Sequence, residues 1–90
     1  MLERVVVRII NRQGLHARPI SRFVQTVARF QAKVSVTGPD GTVADGASVF
    51  SMMTLAAGQG SELVLEADGG QAREALAALT ALVTDGFGEK

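Results

Sequence analysis

Apolar residues in this chain recur with a period of two in some stretches and 3.6 in others, and the order of those stretches constrains the fold most. Val5, Val7 and Ile9 alternate with Arg4, Val6, Arg8 and Ile10, which predicts a strand over roughly 2–10. Ile20, Phe23, Val24, Val27 and Ala28 fall at i, i+3, i+4, i+7 and i+8, one stripe of a helix over about 17–29 with Pro19 in its first turn. Ala32, Val34 and Val36 alternate again, and Gly38-Pro39-Asp40-Gly41 has the chemistry of a tight turn before Thr42, Val43 and Ala44, so these strands are expected to form a hairpin. Ser48 precedes a short helix of about two turns over 49–57, closed by Gly58 and Gly60. Leu63, Leu65 and Ala67 mark a fourth strand. Ala72, Ala75, Leu76, Leu79, Leu82 and Val83 mark a longer helix over about 71–84. The order β-α-β-β-α-β-α predicts an α+β domain in two layers, with amphipathic helices over one face of a sheet.

Ninety residues suit one domain, 1–90, around one core. A hydrophobic share of 47% against 20% charge argues against a disordered chain, and no apolar run approaches the ~18 residues of a membrane span. With no cysteine and one histidine, neither a disulfide framework nor an imidazole or thiolate metal centre is expected, and no cofactor is called for. Met1 to Arg4 run straight into the strand pattern, unlike a basic segment before an apolar signal core, so a cytoplasmic location is expected. Nine basic and nine acidic residues cancel, and without Trp or Tyr there is no stacking platform, so nucleic acid is not an expected partner. The charge is nevertheless divided: residues 1–33 hold seven Arg or Lys against Glu3, whereas residues 34–90 hold Arg73 and Lys90 against eight acids. Either the basic part handles anions or the charges meet across the fold.

The chemistry is concentrated in Gly14-Leu15-His16-Ala17-Arg18-Pro19, where the only histidine stands between a glycine loop and a helix start. Unpaired N–H groups and the positive end of the helix dipole favour an anion there. The same field favours a neutral His16, with a ring lone pair able to attack phosphorus. Arg18 supplies a guanidinium for phosphoryl oxygens, and Pro19 gives up an N–H that would have no partner. By residue type alone, a histidine at this place is a surface or capping residue.

Read whole, the chain resembles the HPr family, the histidine-containing phosphocarriers of bacterial sugar phosphotransferase systems. The likeness rests on residues 14–19 after the first strand, on Asp45-Gly46-Ala47-Ser48 before a short hydrophobic helix, and on the element order. It implies an open-faced β-sandwich, a four-stranded antiparallel sheet covered on one face by three helices. It implies a stoichiometric carrier, not an enzyme: His16 takes a phosphoryl group from phosphorylated enzyme I and passes it to a sugar-specific EIIA acceptor. Arg18 assists the phosphate, and the backbone at Ala17 and Arg18 holds it. A monomer is expected.

The resemblance also puts Ser48 where an ATP-dependent HPr kinase/phosphorylase acts in many Gram-positive-type members, with a transcriptional regulator as reader. A serine before a helix is equally a plain N-cap, and Ala47 stands where relatives commonly carry lysine. Met52, Leu55 and Ala56 form one stripe of the short helix, and Val49, Phe50 and Met53 form another. Only one can face the sheet, so the second is expected to be a partner surface, together with Ile20 and Arg22. Ile20 and Ser21 depart from the small or apolar pair usual in the family. The competing readings are a regulatory or nitrogen-type relay, a component serving a dihydroxyacetone kinase, a non-catalytic effector acting through phosphorylated Ser48, and an acylphosphatase-like enzyme on a similar frame.

Overall fold

Alternation of apolar and polar residues in four segments builds one sheet in the computed structural model, which describes residues 2–89. The strands are β1 (Leu2–Arg8), β2 (Lys33–Thr37), β3 (Val43–Asp45) and β4 (Glu62–Asp68), in the spatial order β1-β4-β2-β3 with every neighbouring pair antiparallel. Register matches the apolar rows: Val7 lies opposite Leu63, Val5 opposite Leu65, and Val36 opposite both Leu65 and Ala44. A slip of one residue would turn these side chains to water. The other face carries charge. Arg4 stands opposite Glu66, and Arg8 pairs with Glu62 at 2.8 Å.

Three helices cover the apolar face: α1 (Ala17–Val27), α2 (Val49–Met52) and α3 (Ala72–Thr84). From α1 come buried Pro19, Ile20, Phe23 and Val27, and from α3 Ala72, Ala75, Leu76, Leu79 and Val83. These meet the inward rows of the sheet in one apolar cluster. The open-faced antiparallel architecture implied by the sequence is the one observed.

Some boundaries differ from expectation. β1 ends at Arg8, although Ile9 still points inward and its N–H reaches Ser61 O at 2.9 Å. α1 ends at Val27 and leaves Ala28 exposed. α2 has four residues, about one turn and not two. Beyond it the Thr54 and Leu55 N–H groups bond three residues back, and the chain then unwinds so that Ala57 O can accept from Leu15 N–H at 2.9 Å. Consequently Leu55 and Ala57 are buried and Ala56 is exposed. Ile20 is also corrected: at 1% exposure it belongs to the core, because it lies on the same side of α1 as Phe23, and it cannot touch a partner.

A feature without a periodic signal follows α3. Gly86, Phe87 and Gly88 take consecutive positive φ values of 64°, 57° and 75° in a 3₁₀ turn. Such a φ is unfavourable for an aromatic residue, by about 1–3 kcal/mol. The Phe87 ring is completely buried, and that burial offsets the cost.

Candidate functional site

The loop between β1 and α1 is held by close backbone contact. Gly14 has φ 68°, and a Cβ on it would lie 2.6 Å from Ala57 O and 2.7 Å from Gly58 Cα, so only glycine fits against that segment. Gly14 N–H bonds Asn11 O at 3.1 Å, and the buried Asn11 side chain donates from Nδ2 to Gly14 O at 2.8 Å. These bonds set the chain's entry into α1.

His16 is the N-cap of α1, with extended backbone (φ −115°, ψ −171°) and no side-chain capping bond. The first intrahelical bond runs from Ile20 N–H to His16 O at 3.1 Å. The Ala17 and Arg18 N–H groups therefore precede the helical ladder, and Pro19 has none to satisfy. The imidazole is about one-third exposed, whereas Arg18 projects from the surface at 72%.

Glu89, which no sequence pattern singles out, completes the arrangement. Both of its carboxylate oxygens lie 3.1 Å from His16 Nε2; Asn11 Nδ2 donates to Oε1 at 3.1 Å, and Arg18 Nη1 stands 3.9 Å from Oε2. The hydrogen bond from His16, reinforced by that from Asn11 and by the charges of His16 and Arg18, holds the Glu89 carboxyl below its ordinary value against partial burial. An ionised carboxylate only accepts, so the hydrogen between the two groups sits on Nε2 and the lone pair of a neutral ring is on Nδ1. Beside this group is an open concavity of about 440 Å³ lined by Arg12, Gln13, Arg18, Arg22, Gly88 and Glu89. Of the divided charge, Arg12, Arg18 and Arg22 line this concavity, and Arg8 of the basic part meets Glu62 of the acidic part across the sheet.

Ser48 caps α2, its Oγ accepting from Ser51 N–H at 3.2 Å. Met52 is the buried side of this turn. Val49, Phe50 and Met53 are exposed, Phe50 by 87% and Met53 by 57%, and α2 is in contact with α1. Arg22 is exposed on α1 and donates from Nη1 to Phe87 O at 3.0 Å. Among the described residues no group of three or more His, Cys, Asp or Glu is placed to hold a metal ion, and no helix is long and apolar enough to cross a membrane.

An imidazole at a helix start, an arginine beside it and an open sheet behind define a small α+β protein of the phosphoryl-carrying class. Comparison with known proteins agrees. The family model for the PTS HPr component phosphorylation site matches residues 4–85. HPr of Neisseria meningitidis serogroup A is 45% identical over 83 residues, 92% of either chain, and NPr of Klebsiella oxytoca is 37% identical over 89 residues, 99% of either chain. The crystal structure of HPr-C-His from Thermoanaerobacter tengcongensis superposes with a TM-score of 0.91 at 36% identity, covering 98% of both chains. The chain belongs to the HPr family of the phosphotransferase system; it is a phosphocarrier and not a catalyst in its own right.

Proposed function

We propose that the chain, as one domain spanning 1–90 and acting as a cytoplasmic monomer, relays a phosphoryl group from phosphorylated enzyme I to an EIIA acceptor through phosphohistidine at His16. The observation that carries this is the division of the ring: Nε2 is engaged by Glu89, while among the described residues nothing engages Nδ1. In the transfer, the Nδ1 lone pair attacks phosphorus, the bond to the donor breaks with its electron pair leaving on the donor, and the Nε2 hydrogen stays in place. The N–H groups of Ala17 and Arg18 and the Arg18 guanidinium face the incoming charge. Val49, Phe50, Met53 and Arg22 form the docking surface; their exposure beside α1 supports that role.

The test is incubation with phosphoenolpyruvate and enzyme I. One acid-labile phosphate is expected, absent from His16→Ala and present in Ser48→Ala. Label persisting in His16→Ala overturns the relay.

A regulatory-branch relay is the second reading, supported by likeness to NPr along 89 residues. It predicts faster transfer to a regulatory acceptor than to a sugar-specific one. Ser48 is proposed as a kinase target read by a transcriptional regulator. Its half-exposed position next to Val49 and Phe50 would put about −1.5 to −2 charges on the docking surface. Incubation with ATP and HPr kinase/phosphorylase should then give acid-stable label, lost in Ser48→Ala.

A further inference from the structure

Glu89 reaches His16 by an expensive route. Three consecutive left-handed residues turn the chain back after α3, the buried Phe87 ring anchors the turn, and Arg22 Nη1 clamps Phe87 O at 3.0 Å. Gly88 has φ 75°, a conformation that favours glycine, and a Cβ there would come within 2.8 Å of Arg22 Nη1, so the guanidinium would have to shift from its place on Phe87 O. The carboxylate is also fixed from a second side, by the amide of Asn11, a side chain only 4% exposed. Strain, burial and a buried donor all converge on one exposed-edge carboxylate against Nε2.

From this convergence we infer that Glu89, oriented by Asn11, is a positioning residue for phosphoryl transfer: it keeps the hydrogen on His16 Nε2 both before and after the ring takes the phosphoryl group. The inference rests on the relay proposed above. Before transfer, the contact selects the tautomer whose lone pair is on Nδ1. After transfer, the ring carries phosphorus on Nδ1 and hydrogen on Nε2 and is cationic, a state that an adjacent carboxylate favours. When the phosphoryl group leaves, the Nδ1–P bond breaks with its electrons returning to Nδ1, and the departing group is neutral imidazole. Without the Nε2 hydrogen it would be imidazolate, a far stronger base and a poorer leaving group. Onward transfer, more than loading, is the step Glu89 serves. Arg18, 3.9 Å from the same carboxylate and mostly in solvent, remains free to swing to the phosphoryl oxygens.

Glu89→Ala, Glu89→Gln and Glu89→Asp separate this role from a structural one. The measurements are the ¹⁵N NMR tautomer of His16 in the unphosphorylated protein and single-turnover transfer from the purified phosphorylated carrier to EIIA. Carboxylates that orient a metal-binding histidine through its other nitrogen are worth roughly 10- to 100-fold, and by the same positioning logic a slowing of that order is expected in Glu89→Ala. Glu89→Gln should be as slow or slower, since its amide can donate to Nε2 and move the ring hydrogen to Nδ1. Glu89→Asp should restore part of the rate, with melting temperatures close to the parent throughout. An unchanged tautomer, or transfer at the parental rate in Glu89→Ala, overturns the inference. The two levels fail differently: phosphate that never depends on His16 defeats the relay, whereas normal loading of His16 with transfer indifferent to residue 89 defeats only the role of Glu89.

Discussion

Two helix starts in this molecule look alike in backbone and differ in what they leave open. His16 and Ser48 are both extended N-caps, with φ of −115° and −121°. Ser48 spends its side chain on its own helix, accepting from Ser51 N–H, and that helix has only four residues. His16 makes no such bond, and its helix runs for eleven residues from exposed Ala17 and Arg18. The self-capped turn has little left for an anion. The uncapped one keeps its first N–H groups and dipole available, and its capping position bears an imidazole whose lone pair can bond phosphorus and later release it. A capping bond withheld is thus what separates the start that can receive an anion from the start that has satisfied itself.

The sharpest way to test the contrast is within α2 itself. Met52 is fully buried, so Met52→Ala should cost about 2–5 kcal/mol and lower the melting temperature by roughly 10 °C or more. Phe50→Asp, one turn-face away and in solvent, should leave melting within a few degrees yet weaken enzyme I binding at least about tenfold, as for an aromatic contact residue. Calorimetry together with titration calorimetry reads both. Normal affinity in a folded Phe50→Asp protein would reduce α2 to scaffold on every side.

At the α1 start the next largest effect belongs to Arg18. A charge-assisted bond is worth about 1.5–3 kcal/mol, and with a side chain this exposed the lower end applies, giving roughly a tenfold slower loading of His16 in Arg18→Ala. Arg18→Lys should recover only part of it, because a point charge lacks the planar fork. Rapid-quench phosphorylation kinetics measure this, and an unaltered rate would mean that the backbone alone holds the anion.

Much of the scaffold was legible because period-two and period-3.6 patterns report burial directly: Val34, Val36, Leu63 and Leu65 face inward as alternation requires, and the α3 stripe is buried as spaced. His16 and Arg18 could be singled out because their setting is local, a glycine before and a proline after. Ile20 could not be placed outside by family position, since its place on the α1 stripe with Phe23 buries it. Glu89 and Asn11 were illegible for another reason. Their bonds to each other and to His16 span sequence separations of 78 and 73, and contacts of that range leave no periodic trace. The pair of glycines around Phe87 signals a turn after α3, but not where the turn delivers its next residue.

The self-capped start predicts a smaller and purely structural effect. Ser48→Ala removes the bond to Ser51 N–H and should cost about 1 kcal/mol, near 4–8 °C in melting temperature, while His16 loads at the parental rate. A loading defect would show that α2's cap bears on the phosphoryl step and would blur the distinction between the two starts.

The smallest expected effect follows from titrating Glu89. Its carboxyl ionises below the ordinary 4.5, first because His16 donates to it. A depressed folded-state value means that the folded protein holds the ionised form more firmly than the unfolded chain does. The contact therefore adds its full stability above about pH 4.5 and loses it as pH falls through the lower folded value. Glu89→Gln lacks this dependence. Urea midpoints compared from pH 6 down to pH 3 should show the parent ahead at the upper end, with the gap closing on acidification. A gap that is constant with pH would assign Glu89's contribution to packing and leave the ring of His16 without its anionic support.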